Sequence, residues 1–262
     1  MVVFFHNVHD FIMDNRIQRE KEFHNDRFEK DTRKHLDKYY SITQNSRALY
    51  LELIKSSSEG KSILEYGCGE GSFSFDMAEL GAKVYGIDIS EIAIEKAKSK
   101  AEQKHLSDLM HFQVMNAEEL NFPKEYFDRI CGVAILHHLD LSKAVSELSK
   151  VMKENGSAIF LEPLGHNPII NLYRSLTKNL RTEDEHPLLL DDLKIFEKYF
   201  GSVKIHYFHL TTLALVPLRN LKNYNKIVNL FDSIDATLFK IPLFRKNAWQ
   251  VVIELSKPNK LV

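Results

Sequence analysis

Ser62-Ile63-Leu64-Glu65-Tyr66-Gly67-Cys68-Gly69-Glu70-Gly71-Ser72 is the stretch from which the rest of the chain is read. A short apolar run ends in an acid, and three glycines then alternate with other residues. The run predicts a buried parallel strand breaking into a tight turn, where the absence of a Cβ lets the backbone come unusually close to a ligand. Taken alone, the motif fits a nucleotide-type cofactor loop and an ordinary strand-to-helix turn equally well.

Downstream, Phe73, Phe75, Met77, Ala78 and Leu80 supply the inner side of a helix that stops at Gly81. Residues 83–90 predict a second strand ending in Asp88, which stands 23 positions after Glu65. In doubly wound folds an acid at about that interval reaches a ribose diol. Ser90 is expected to cap the helix carrying Ile92, Ala93, Ile94 and Ala97. Residues 110–114 predict a third strand, which leads into Asn116-Ala117-Glu118. Residues 127–133 predict a fourth, leading into Leu136-His137-His138-Leu139, and a helix from Leu141 to about Lys153 precedes a fifth at 157–163. This repeated alternation of strand and helix predicts a parallel sheet with helices on both faces.

Farther on come a helix with Ile169, Ile170, Leu172, Tyr173 and Leu176, a polar turn at 181–187 and a helix from Asp191 to Phe200. Strands at 202–208 and 249–255 follow, separated by an amphipathic run that includes Tyr224, Ile227, Val228 and Phe231. Residues 1 to about 45 read as a charged, partly helical arm, with Tyr39 and Tyr40 just ahead of a first core helix at 44–55.

The chain has 262 residues, 44% hydrophobic and 27% charged, which suits one large domain with appendages. A net charge of −1 gives no global basic field to draw it onto nucleic acid or an anionic membrane. Cys68 and Cys131 lack metal or disulfide spacing and predict inert thiols in a reducing compartment. There is no long apolar run, and Val2 to Phe5 is too short for a signal peptide, so a cytoplasmic location is expected. Paired histidines or carboxylates at ligand spacing are not evident, and no metal is expected. The residues carry no signal for oligomeric state.

With these elements placed, the chain resembles the class I S-adenosylmethionine-dependent methyltransferases, in particular the small-molecule branch that includes ubiquinone and menaquinone methyltransferase-like proteins. The likeness covers residues 47–163 and rests on the acid-x-Gly-x-Gly-x-Gly loop, Asp88, the Asn116-Ala117-Glu118 turn and the Leu136–Leu139 segment. It implies an α/β fold: a Rossmann-like, doubly wound, seven-stranded sheet, mostly parallel with an antiparallel last strand inserted between the fifth and sixth, and helices on both faces. It also implies a helical arm or lid at 1–45 and a methyltransferase domain at 46–262, with cap segments at 164–190 and 209–248. The implied cofactor is S-adenosyl-L-methionine, released as S-adenosyl-L-homocysteine. Its implied contacts are Glu65, Gly67, Cys68, Gly69, Gly71, Asp88, Ile89, Asn116, Ala117, Glu118, Gly132 and Val133; Asn116 stands where the family usually has Asp.

The residues themselves favour that ligand over a dinucleotide. Gly71 follows Gly69 by two positions where a pyrophosphate turn wants three, and Glu65 would repel a pyrophosphate. A nicotinamide-dependent oxidoreductase and a non-catalytic S-adenosylmethionine-binding protein are the alternatives. The acceptor is expected to be a small, apolar or lipid-like molecule. Nucleic acid is not expected, since Gly132-Val133-Ala134-Ile135 replaces the Asn/Asp-Pro-Pro-aromatic segment of nucleic-acid amino-methyltransferases. For a hydroxyl acceptor, His137 or preferably His138 would serve as base. Tyr39, Tyr40, His166, Arg181 and His186 are candidate acceptor contacts, with Glu162 a further candidate. The apolar run in 209–248 is read either as packing on its own domain, or as lining an apolar channel or touching a membrane surface.

Overall fold

The computed structural model describes residues 2–30 and 41–260, without the side chains of residues 2–14 and 179. Tyr39 and Tyr40 therefore lie outside the described residues. Seven strands form one sheet in the order β3-β2-β1-β4-β5-β7-β6. They are β1 Ser62–Tyr66, β2 Lys83–Asp88, β3 Met110–Val114, β4 Phe127–Val133, β5 Met152–Pro163, β6 Phe200–Phe208 and β7 Gln250–Pro258. The first five run parallel, and β7 pairs antiparallel with both β5 and β6. The expected insertion of the last strand between the fifth and sixth is thus observed.

Alternation within each strand explains the helices on both faces, since successive side chains point to opposite sides of a sheet. Leu64, Tyr66, Ile130, Ala158 and Phe160 pack on one side, with Val145 and Leu148 of α5 (Leu141–Val151) and Phe196 of α7 (Ile195–Tyr199). Ile63, Val84, Cys131 and Ile159 pack on the other, against Tyr50 and Ile54 of α2 (Gln44–Lys55), Met77 of α3 (Ser74–Glu79) and Ile94 and Ala97 of α4 (Glu91–Gln103). Ser90 caps α4 as expected, accepting from Ala93 N at 3.1 Å.

Several boundaries differ from the sequence reading. Within the arm, residues 2–30 form one continuous helix, α1 (Val2–Lys30). β5 starts at Met152, because the ladder jumps from Phe127↔Met152 to Arg129↔Ser157 and residues 153–156 bulge out of it. The expected helix from Asp191 to Phe200 is a 3-10 turn, Asp192–Lys194, followed by the short α7, and Phe200 already belongs to β6.

The chain between β5 and α7 contains α6 (Pro168–Leu176). The connection from β6 to β7 contains a 3-10 helix, Thr212–Leu218, then α8 (Tyr224–Leu238) and α9 (Pro242–Arg245). A separate apolar cluster joins Ile42, Ile170, Leu213, Val216, Tyr224 and Val228. The buried side of the 209–248 insertion thus packs on its own domain and braces α6, as the first of its two readings supposed.

Candidate active site

β1 and β4 are neighbours in the sheet, yet their helical connections leave in opposite directions, with β2 and β3 on one side and β5 on the other. A crevice opens at such a switch point, outside the carboxyl ends of the strands. Here it holds the Gly67–Ser72 loop after β1 and residues 134–139 after β4. A cavity of about 700 Å³ occupies it, within the range of small-molecule sites.

One side of the cavity is built from backbone and carboxylates. Gly67 and Gly69 adopt φ of 68° and 53°, left-handed values that glycine accepts without strain. A Cβ on Gly67 would come within 2.8 Å of Ile135. Asp88 Oδ2 accepts from Gly69 N at 2.8 Å and its Oδ1 from Ser90 N at 2.9 Å, so the acid ending β2 pins the loop after β1. Each oxygen keeps a second lone pair for a ligand. Glu65 faces the other way along the loop. Its oxygens accept from Phe73 N at 3.1 Å, from Ser74 N at 2.9 Å and from the Ser74 hydroxyl. Burial pushes its carboxyl up to about 7, opposed by the donors from Ser74 and Phe73. Asn116 Oδ1 accepts from Glu118 N at 3.0 Å and shapes its own turn, and the Tyr66 hydroxyl donates to the Ala117 carbonyl beneath it.

On the other side, His137 Nδ1 lies 2.7 Å from Glu162 Oε2. Glu162 is fully buried at the end of β5, and its other oxygen accepts from Ile135 N and Leu136 N, both at 2.9 Å. A carboxylate there makes Nδ1 the donor and leaves Nε2 as an acceptor toward the cavity. The ring of His138 stacks beside His137 with centroids 4.3 Å apart. Its Nδ1 lies 3.1 Å from Glu20 Oε2, on α1.

α1 roofs the cavity through one face of the helix. Arg16, Glu20, His24 and Phe28 recur every four residues, and all four line it. Arg16 donates to the His138 carbonyl at 2.7 Å and pairs with Glu118. Thr182 donates to Glu20, and Arg19 pairs with Asp184 at 2.8 Å, so the same helix also grips the segment after α6. The opposite wall includes Tyr173, Arg174, Arg181 and Glu185, with Arg174 Nη1 2.6 Å from Glu185 Oε1. Burial lowers the pKa of Arg181, whose guanidinium donates to the Arg174 and Thr177 carbonyls.

Of the residues singled out in the sequence, Glu65, Gly67, Gly69, Asp88, Ile89, Asn116, Ala117, Glu118, Val133, His137, His138 and Arg181 line the cavity. Others lie behind it. Cys68 is buried against β2, with its Sγ 3.0 Å from where a Cβ on Gly86 would sit. Gly71 packs on Phe75, and Gly132 lets β4 lie close to the Tyr66 carbonyl. His166 accepts from Leu190 N at 3.1 Å, and His186 is exposed. Among the described residues, none in 209–248 lines the cavity, so that insertion is no wall of it.

Two expectations need correction or extension. Ligand-type clusters absent from the linear spacing do form in space: Glu20, His24 and His138 in one group, and His137, His138 and Glu185 in another. The sequence reading also passed over Arg16, Glu20, His24, Arg174 and Glu185. The four-residue recurrence along α1 puts the first three on one helix face, but nothing local says that this face turns inward.

Fold and site together define a doubly wound, Rossmann-like α/β architecture with a crevice at its switch point. Residues 64–160 match the family model described as a methyltransferase domain, so the chain carries such a domain. An O-methyltransferase of ubiquinone biosynthesis from Coxiella burnetii is 34% identical over 103 residues, covering 39% of this chain and 43% of that protein. An uncharacterized Haemophilus influenzae protein is 31% identical over 130 residues, 47% of this chain and 50% of that one. The chain thus spans half or less of the length of these curated relatives. Among solved structures, Haemonchus contortus phosphoethanolamine N-methyltransferase 2 in complex with S-adenosyl-L-methionine superposes with a TM-score of 0.60 at 16% identity, covering 90% of this chain and 60% of that one. Geranyl diphosphate C-methyltransferase from Streptomyces coelicolor gives a TM-score of 0.58 at 13% identity, covering 82% and 80%. At such identities the likeness is one of fold.

Proposed function

We propose that this chain transfers the methyl group of S-adenosyl-L-methionine to an oxygen of a small, largely apolar molecule. The observation that carries the reading is the Asp88 carboxylate, which anchors Gly69 N at 2.8 Å and stands half-buried at the cavity wall. It can accept the two ribose hydroxyls while the glycine loop passes under the amino-acid portion of the cofactor. The Asp88 carboxylate makes this side acidic, which suits a cationic sulfonium and disfavours a pyrophosphate. The relationship to an O-methyltransferase supports oxygen as the acceptor atom.

Methyl transfer is an in-line displacement. A lone pair of the acceptor oxygen forms the new bond to carbon, and the carbon–sulfur bonding pair returns to sulfur. His137 Nε2 takes the hydroxyl proton, with Glu162 holding the ring and stabilising the imidazolium that forms. On this reading His137, rather than the His138 preferred from the sequence, is the base. The roof of α1 keeps out water, which would compete as nucleophile. Ile17, Phe23, Ile170 and Leu180 in the lining support an apolar acceptor body. The exposed face of α6, with Ile169, Leu172 and Leu176, supports collection of a lipid-like acceptor from a membrane surface. The free, buried thiols of Cys68 and Cys131 support a cytoplasmic setting.

Mass spectrometry of small molecules that purify with the protein, followed by transfer of labelled methyl into fractionated cell extract, tests the reading. Bound S-adenosylmethionine or S-adenosylhomocysteine and label in an apolar fraction are expected. A bound nicotinamide dinucleotide would overturn it.

A further inference from the structure

We propose that Glu20, His24 and His138 form a site for a divalent transition-metal ion, which clamps the roof helix to the β4 loop and presents open coordination positions to the acceptor oxygen. The proposal rests on the methyl-transfer reading for its use of the ion, though the site itself stands on geometry.

Glu20 and His24 lie one helical turn apart on α1, and Glu20 Oε2 is 3.5 Å from His24 Nε2 and 3.1 Å from His138 Nδ1. A tetrahedral ion with bonds of about 2.0–2.1 Å to nitrogen and oxygen has donor-to-donor edges of about 3.3 Å. The two observed separations bracket that edge. All ligand atoms of the group lie within 4.8 Å of one another.

A second observation points the same way. Glu20 Oε2 and His138 Nδ1 are buried without a hydrogen-bond partner of good geometry, in residues only 4% and 9% exposed. Facing polar atoms left in this state cost free energy that a shared cation would recover. The other carboxylate oxygen of Glu20 is held by the Thr182 hydroxyl, an outer contact of the kind that orients metal ligands.

In the neighbouring cluster, Glu185 already has a cation in Arg174 at 2.6 Å, which weakens it as a competing ligand. Glu20 has no Arg or Lys partner among the described ion pairs; the groups beside it are His24 and His138.

Two imidazoles and one carboxylate suit Zn²⁺, Co²⁺ or Fe²⁺ better than Mg²⁺, which prefers an all-oxygen shell. Three protein ligands leave at least one position open. An acceptor hydroxyl bound there would be acidified, with its proton directed to the neighbouring His137.

The test uses the full chain stripped with a chelator, titrated with Co²⁺ and Zn²⁺ by calorimetry and visible absorption. S-adenosylhomocysteine binding and melting temperature are measured on the same samples. One equivalent of Co²⁺ with intense ligand-field bands is expected, and Glu20→Gln and His24→Ala should each weaken binding by about 100-fold or more while still melting cooperatively. His166→Ala, outside the cavity, should bind as the parent does. Absence of stoichiometric binding, or equal binding in the Glu20 and His24 variants, would overturn the proposal. S-adenosylhomocysteine binding without Co²⁺ binding sinks the metal site alone, whereas loss of cofactor binding in the parent protein sinks the reading beneath it.

Discussion

His137 Nδ1 and Glu162 Oε2 meet at 2.7 Å across the ends of two adjacent strands, and the backbone of the intervening loop hangs from the same carboxylate. One buried acid therefore sets both the ring orientation and the loop that carries the ring. His137→Gln should lower kcat by about 10²- to 10⁴-fold with little change in cofactor affinity, the usual range for a lost general base. Single-turnover methyl transfer beside calorimetric cofactor binding separates the two effects; equal losses in both would argue for a structural role.

Glu162→Ala removes the acceptor for Ile135 N and Leu136 N as well as the partner of His137. Buried donors left unsatisfied cost about 1–3 kcal/mol each. The variant should therefore lose stability in urea unfolding, whereas His137→Gln should not lose a comparable amount.

Asp88→Ala breaks the bond to Gly69 N and deletes the expected ribose acceptor together. Bonds to a charged group are worth about 1.5–3 kcal/mol, so S-adenosylmethionine affinity should fall by about 10- to 100-fold. Isothermal calorimetry reads this directly, and unchanged affinity would remove Asp88 from the cofactor site.

Glu65 makes stability depend on pH. Burial raises its carboxyl from 4.5 to about 7, so between those values the folded protein holds a proton that the unfolded chain has lost. Its contribution is fully present below about pH 4.5 and is lost as pH rises through about 7, by an amount of the order of 3 kcal/mol at most. Unfolding of the parent and of Glu65→Gln across this window should diverge, the parent weakening relative to the variant as pH rises. Parallel curves would show that Glu65 ionises normally.

Arg16 latches the roof by reaching both Glu118 and the His138 carbonyl. Arg16→Ala should raise the local opening of α1 by about 10- to 100-fold, as expected for losing bonds that involve a charged group. Hydrogen exchange of the α1 amides measures it. Exchange unchanged from the parent would mean that the remaining contacts, such as Arg19 with Asp184, hold the helix alone.

Periodicity and spacing were enough for the sheet, its two helical layers and the place of the cofactor loop. The largely apolar runs at 62–66 and 127–133 can be buried only between layers on two faces, and glycines after a strand restrict the turn. Asp88 and the His137-His138 pair were legible for the same reason, since each follows directly from a strand end. Glu20 and His24 were not, because they lie more than a hundred residues from His138 in the chain, and no local rule says which face of a charged helix turns inward. That choice depends on long-range partners: Glu118 for Arg16, Thr182 for Glu20 and Asp184 for Arg19. Tertiary structure also placed the 209–248 insertion beside α6 rather than over the cavity, since Leu213, Val216, Tyr224 and Val228 pack on Ile42 and Ile170. The Gly67–Gly71 loop carries the proposed cofactor half of the site in its own backbone, whereas the proposed acceptor half exists only once distant side chains are brought together.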